Sequence, residues 1–534
     1  MRAWKTHRQI WFLRGTAAGI VLLASATLLG FVTAVSAAAQ APQKLPSPEK
    51  IVEAHLKASG GKKNAAAIRS ATYEWTVHSK DGPAGAARWQ FKAPGSMRLE
   101  TSIDNGVITA AANTSSAWAA DGGAVRTLTG AEAAAAKLRA FLDASRLVDF
   151  KKANVLARFI SVGDLGSEPS YIVEFSRRGG AKLTYWFSIK TRLLVKVIDD
   201  NTRTTTRFDD YRPSKNILEP HRIRISRPDL DQTLELQNVS YNAPIADAVF
   251  DPPAADTAVD VTALLRAVGR NQDEVEKRVN EYSFMQKETQ REISGRGEIK
   301  KETVKVYEVF PIANRGPIMK LISENGVALS GEKADREEKR VTEELMKAER
   351  DRDKDQQKAD RRKEERKKKA GKGQEDEDPV ISQFLTVCEF VSPRHERFRD
   401  RDAVVFDFRP RPGFKPGNRS ESLISKLVGV VWIDPADKQV MRLEARLAEG
   451  FKMGGGLLLS VRPGAAVVME QTRMVEGVWL PSFAQINVSV KVLLFGGGDI
   501  NQTVEWSDYR HFAGTVHDYR LENPKAENQP DKKP

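Results

Sequence analysis

The chain has 534 residues, with 84 Lys and Arg against 71 Asp and Glu for a net charge of +13; 40% of its residues are hydrophobic and 29% charged. Its single cysteine, Cys388, excludes an intramolecular disulfide and any cysteine-based zinc or iron–sulfur site, and seven dispersed histidines leave little material for a histidine-rich metal site. At roughly 150 residues per domain the length predicts two to four domains, large enough to bury cores without covalent staples.

The N-terminus reads as an export signal over residues 1–37. Arg2, Lys5, Arg8 and Arg14 form a cationic start, and no charge follows until Lys44. Between them runs an apolar stretch that ends in Val35-Ser36-Ala37-Ala38-Ala39. Small side chains are what a signal peptidase pocket admits, so cleavage is expected after Ala37 or Ala39. The alternative is a retained anchor, since the uncharged run is long enough to span a bilayer. Without the four cationic residues the charge is +9, from 80 basic and 71 acidic side chains. No cysteine follows the signal, so the chain is not itself expected to be a lipoprotein. Export with almost no cysteine points to a periplasmic compartment. Residues 38–46 read as a linker, and no second apolar run is long enough to span a membrane.

A first unit is predicted over 47–253. Ser47-Pro48-Glu49 is a helix start, Ile51, Val52 and Leu56 form its apolar stripe, and Gly60-Gly61 stops it. Alternating strands follow around Tyr73–Val77, Trp89–Phe91, Met97–Leu99, Val107 and Trp118, with Asp121-Gly122-Gly123 as a hairpin turn. A helix from Gly130 to about Leu147 interrupts them. Strands then resume over Val155–Val162, Tyr171–Phe175, Leu183–Ile189, Leu193–Ile198, Thr204–Tyr211, Arg222–Ser226 and Thr233–Tyr241.

A second unit, 254–512, repeats that order: a helix around Leu264–Val279, strands over Tyr282–Ile293, Glu298–Phe310 and Ile318–Ser323, a much longer helix, then strands from Ala403–Phe408 to Ile500–Tyr509. Short matches keep their sequence order. Tyr185–Val197 answers Val431–Leu443, and Ile217-Leu218-Glu219-Pro220 answers Val478-Trp479-Leu480-Pro481, as a duplication would produce. Residues 513–534 read as a polar tail.

The insert at 332–378 carries 17 basic and 17 acidic residues. Its balance argues against a nucleic-acid arm, which needs surplus cations to displace phosphate counterions. Pairs such as Asp335–Lys339 and Glu364–Lys368 support a solvated helix, and with few apolar residues beyond Leu345 and Met346 it is expected to project into water. The basic run 361–369 is a possible contact for anionic headgroups.

Chemical motifs are sparse. There is no G-x-S-x-G, Walker loop or H-E-x-x-H; His395-Glu396 lacks the second histidine. Gly454–Gly456 and Gly496–Gly498 are not followed by the features of a phosphate cradle and read as sheet-rim loops. Asp199-Asp200 and Asp209-Asp210 are neighbours on strands, which places their carboxylates on opposite faces. No catalytic residue, metal site or cofactor is expected. Tyr73, Trp75, Trp89, Phe91, Tyr171, Phe175, Tyr185 and Phe187 do fall on alternating strand positions. On one curved sheet they would share a concave face, either as core against the helices or as the wall of a pocket for acyl chains.

With the opening helix Ile51–Gly61, the strands split by a helical plug, Tyr185–Val197, Phe208-Asp209-Asp210-Tyr211 and Leu218-Glu219-Pro220, the chain resembles the LolA/LolB-like lipoprotein-carrier superfamily, which includes RseB-type regulators. Trp479-Leu480-Pro481 and Trp506-Ser507-Asp508-Tyr509 extend the resemblance to the second half. The resemblance implies an α+β, β-rich fold: two tandem half-barrels, each a curved antiparallel sheet wrapped around helices, with the charged helix inserted in the second. It further implies a periplasmic, non-enzymatic carrier or sensor of acyl chains of lipids or lipoproteins. Alternatively it implies an envelope stress sensor or scaffold that binds protein partners.

Overall fold

The computed structural model describes residues 45–79, 82–103, 106–177, 180–254, 259–294, 298–312, 317–369, 379–453, 459–474, 477–492, 496–512 and 515–522. The segment 1–37 expected to be an export signal, most of the 38–46 linker, Gly454–Gly456 and most of the tail lie outside the described residues. Helix α1 (Pro48–Ala58) forms where its cap and stripe predict. Ser47 Oγ accepts from Lys50 N at 3.4 Å, Pro48 takes the first turn, and Ile51, Val52 and Leu56 are buried. It ends at Gly60, where φ is +117° and a Cβ would lie 2.3 Å from the Asn216 carbonyl oxygen, so only glycine fits.

After α2 (Lys62–Ala67), six strands from Ser70–Ser79 to Ala124–Thr127 each pair with their predecessor and wind outward. Helix α3 (Gly130–Ala144) interrupts, and seven strands from Val155–Leu165 to Leu230–Tyr241 wind back until the last pairs with the first. The edge strands Ala124–Thr127 and Val155–Leu165 do not meet, so this 13-stranded antiparallel sheet stays open. The second sheet repeats the plan. Helix α4 (Val261–Val279) precedes Tyr282–Ile293, which pairs with the final strand Gly496–His511. Helices α5 (Glu332–Lys369) and α6 (Pro379–Val387) separate the outward from the returning strands. Helix α7 (Arg419–Ile424) lies between two returning strands, and α8 (Val516–Glu522) follows the last one.

Three differences from the sequence reading have physical causes. First, α5 does not simply project into water. Val341, Leu345 and Ala348 are buried against Phe310, Phe512, Val516 and Tyr519. Glu337 accepts from Leu321 N at 2.9 Å, and Glu349 accepts from Val516 N at 2.6 Å. Three apolar residues at helical spacing suffice to dock one face of a charged helix. Second, Cys388–Phe398 is a strand despite Pro393. It lies at the sheet edge, with a register shift between Val391 and Arg394 and Ser392 at φ +54°, where a proline is tolerated. Third, Asp209 pairs with Arg222 and Tyr211 with Pro220, leaving Asp210 bulged at φ +55° and bonded to Arg212. Strand alternation fails there. Asp200, likewise, sits in a turn. Gly496–Gly498 opens the last strand by pairing with Val490–Val492, at the rim of a hairpin.

The helices cover aromatic sheet faces. In the first half-barrel, α1 and α3 pack Ile51, Val52, Leu56, Leu138 and Leu142 into one cluster with the strand aromatics. In the second, the plug is α4 and α6, whose Leu265, Val268 and Val387 meet Phe406, Phe408 and Val431. The two sheets are joined by a buried polar lock. Ser116 Oγ donates to Asp407, Arg394 donates to Asp407 at 3.1 Å and to Thr127 Oγ1, and Thr127 N donates to Glu396 at 2.9 Å. Arg394 is 2% exposed and Asp407 is fully buried. Desolvation pushes the Asp407 pKa up, and the guanidinium and hydroxyl beside it oppose that shift.

Candidate functional site

A cavity of about 150 Å³ lies inside the first half-barrel, between the sheet and helices α1 and α3. Alternation along Ser70–Ser79 and Gly82–Lys92 aims Tyr73, Trp75, Trp89 and Phe91 at it, and Tyr185 reaches it from the strand Lys182–Ser188. His55 and Leu56 of α1 and Leu142 and Ala144 of α3 close the opposite side. Of the eight aromatic positions singled out from the sequence, these five line the cavity. Tyr171, Phe175 and Phe187 belong to the same apolar cluster without lining it. Phe175 and Phe187 are buried, and Phe175 meets Tyr185 edge-on with centroids 5.0 Å apart. They support the wall from behind.

The wall carries two features of polar chemistry. Trp75 and Trp89 line the cavity, and both indole N–H groups are buried with no hydrogen-bond partner. An unpaired buried donor is unfavourable by about 1–3 kcal/mol, so an acceptor arriving with a ligand would be stabilised there. The second feature is a network that the sequence reading does not assemble. Glu219 accepts hydrogen bonds from Tyr73 Oη, Tyr241 Oη and Arg146 Nη2, each at 2.8 Å, and Arg146 also donates to Tyr73 Oη at 2.5 Å. Burial pushes the Tyr73 pKa well up, whereas the neighbouring guanidinium pulls it down. Arg146 follows α3 in a left-handed conformation, φ +52°, and so fastens the end of that helix to the strand that carries Glu219. The four residues are far apart in the chain. Tyr73 stands out in the sequence among the alternating aromatics and Glu219 through Leu218-Glu219-Pro220, but nothing there joins them to Arg146 or Tyr241.

Nearby, Arg139 Nε donates to Asp143 Oδ2 at 2.5 Å, one turn apart on α3. Burial raises the Asp143 pKa despite that guanidinium. His55 stands 5.3 Å from the Phe187 ring, and burial pushes its pKa down to about 4. A neutral imidazole suits an apolar wall. Among the described residues no three His, Cys, Asp or Glu side chains are grouped to hold a metal ion, and no described helix is long and apolar enough to cross a membrane.

No protein-family model and no curated protein matches the chain. Among solved structures it is similar to a LolA superfamily protein from Nitrosomonas europaea, with 12% identity over 39% of this chain and 99% of that one, TM-score 0.27. It is similar also to a putative outer membrane lipoprotein-sorting protein domain from Vibrio parahaemolyticus, with 10% identity over 38% and 97% of the two chains, TM-score 0.26. The MucA/MucB complex of Pseudomonas aeruginosa is matched over 87% of this chain and 99% of that one, at 8% identity and TM-score 0.17.

Proposed function

We propose that the protein is an exported, periplasmic and non-enzymatic carrier or sensor whose first half-barrel takes up an acyl chain of a lipid or lipoprotein. Its two units are those drawn from the sequence, 47–253 and 254–512. The observation that carries the reading is the aromatic cavity with two unpartnered indole donors in its wall. A space of about 150 Å³ is what a benzene-sized body fills, so the cavity accommodates a terminal segment of about six carbons. At roughly 0.8 kcal/mol per buried methylene, such a segment contributes about 5 kcal/mol. A longer chain would extend out of the cavity or displace α3. The alanine-rich start of that helix packs Ala133 and Ala140 against Ala112, Ala117 and Leu128, and its end is held by Leu138, Leu142 and the Arg146–Glu219 bond. An ester or amide carbonyl at the head of the chain would satisfy the indole N–H groups.

The test is binding of a fluorescent fatty-acid probe by the wild-type chain and by Ala144→Phe, which fills the space lined by Ala144. Saturable binding that the substitution abolishes supports the proposal. Absence of binding by the wild type, or equal binding by a folded Ala144→Phe, removes its basis. A second reading, an envelope scaffold for protein partners, is favoured by the docked charged helix α5. Deleting part of that helix would then abolish partner capture while leaving probe binding intact.

A further inference from the structure

We infer that Lys137, Arg177 and Arg446 form a binding site for a phosphate-type anion between the two half-barrels. The three cations come from α3, from the end of the strand Glu168–Arg177 and from the strand Gln439–Leu447. All three line both of two neighbouring spaces between the sheets, of about 480 Å³ and 900 Å³. These volumes lie within or near the range of small-molecule sites, roughly 300–1,000 Å³.

The Nε atoms of Arg177 and Arg446 are buried and have no hydrogen-bond partner. Arg446 spends one Nη2 bond on the Thr114 carbonyl at 2.5 Å, and Lys137 donates to the Ser115 carbonyl at 2.8 Å. Arg177 lies 5.5 Å from the Phe141 ring centroid. No carboxylate is bonded to any of the three among the described residues. The acids on the same walls have their own cations: Glu444 binds Arg442 at 2.6 Å, Glu470 binds Arg399 and Arg442, Glu505 binds Lys287 at 2.8 Å, and Asp149 binds Lys62 and Lys152 at 2.7 Å. Asp200 is exposed. The cleft therefore holds three cations in surplus.

Desolvation, opposed by Glu444 and reinforced by Arg446, lowers the Lys137 pKa to about 8, and desolvation with repulsion from Arg177 lowers that of Arg446 to about 9. Arg177 is lowered by desolvation alone. Unrelieved, this cluster works against folding; a tetrahedral oxyanion relieves it by accepting from both guanidinium groups and the ammonium. The smaller space adjoins the aromatic cavity and shares Ala65, Ile68, Arg69 and Ala144 with it, but none of the three cations lines that cavity, and the site does not depend on acyl chains entering it.

The full-length protein is titrated with inorganic phosphate by calorimetry, beside Arg177→Gln and Arg446→Gln. One phosphate per chain is expected, with each substitution weakening binding by about tenfold or more. In phosphate-free buffer Arg177→Gln is expected to melt no lower than the wild type, because it removes a repelling charge and no hydrogen bond, whereas a purely structural arginine would lower the melting temperature on removal; Arg446→Gln also loses the bond to the Thr114 carbonyl and is read by its binding alone. Dihexanoyl phosphatidic acid is titrated in parallel. Tighter binding than inorganic phosphate assigns the anion to a lipid headgroup, and equal binding assigns it to a free phosphate group. On the unmutated chain, phosphate is expected to slow phenylglyoxal modification of Arg177 and Arg446, read by mass spectrometry. Failure of the wild type to bind either ligand, binding unchanged in both variants, or modification rates unaffected by phosphate would overturn the inference.

Discussion

Glu219→Ala is the substitution that most directly probes how the first half-barrel is closed. Glu219 is 5% exposed and accepts three hydrogen bonds, from two tyrosine hydroxyls and one guanidinium. Removing it leaves Arg146, whose side chain is 19% exposed, without its carboxylate, and removes the acceptor from both hydroxyls. Breaking a buried ion pair by deleting one partner is unfavourable by about 3–5 kcal/mol, and the partial exposure of Arg146 places this case near 3 kcal/mol. Glu219→Gln keeps an acceptor of the same shape and loses only the charge, so about 1–2 kcal/mol is expected. Because Arg146 and Glu219 act on one another, Arg146→Ala with Glu219→Ala should lose less than the two single substitutions combined. The assay is urea unfolding of variants that keep Trp75 and Trp89 and carry Phe at the other tryptophans, followed by fluorescence and checked by circular dichroism. A loss below about 1 kcal/mol for Glu219→Ala, or strict additivity in the double substitution, would refute a closing role for this network.

Two further outcomes follow from the packing. Leu345 is fully buried beneath α5, so Leu345→Ala should lose about 2–5 kcal/mol of docking and make 332–369 more readily cleaved in limited proteolysis; an unchanged cleavage rate would contradict the packed helix. The folded pKa of His55, about 4, lies below its ordinary 6.5. Its contribution to stability is therefore complete above about pH 6.5 and is lost as pH falls through 4, by up to about 3 kcal/mol. Denaturation midpoints of wild type and His55→Asn across pH 4–7.5 check this, and equal slopes for the two would contradict it.

The helix cap at Ser47, the aromatic alternation from Tyr73 to Phe91 and the repeated order of helices and strands were legible because each is a local pattern. The docked face of α5 was not. Val341, Leu345 and Ala348 are a thin stripe in a helix whose remaining side chains are charged, and what they meet, Phe310 and Tyr519, lies far away in the chain. The strand Cys388–Phe398 was masked by Pro393, which is tolerated only because that strand lies at an edge. Periodicity placed all eight aromatics on one face but could not tell the five that line the cavity from Tyr171, Phe175 and Phe187, which only pack in the same cluster. The polar network was not legible, because Arg146 reaches Glu219 through a left-handed turn after α3 that no periodicity encodes. The same holds between the sheets, where Arg177 and Arg446 come from opposite halves of the chain and acquire meaning only once the half-barrels meet.

The aromatic cavity is proposed to receive an acyl chain. Native mass spectrometry with lipid extraction, on the protein purified from a bacterial periplasm, tests it most directly. A bound phospholipid or acylated peptide is expected, released on denaturation and reduced in Ala144→Phe. A clean ligand-free mass for the wild type, unchanged after incubation with lipid, would contradict it and leave Tyr73, Trp75, Trp89, Phe91 and Tyr185 as ordinary core.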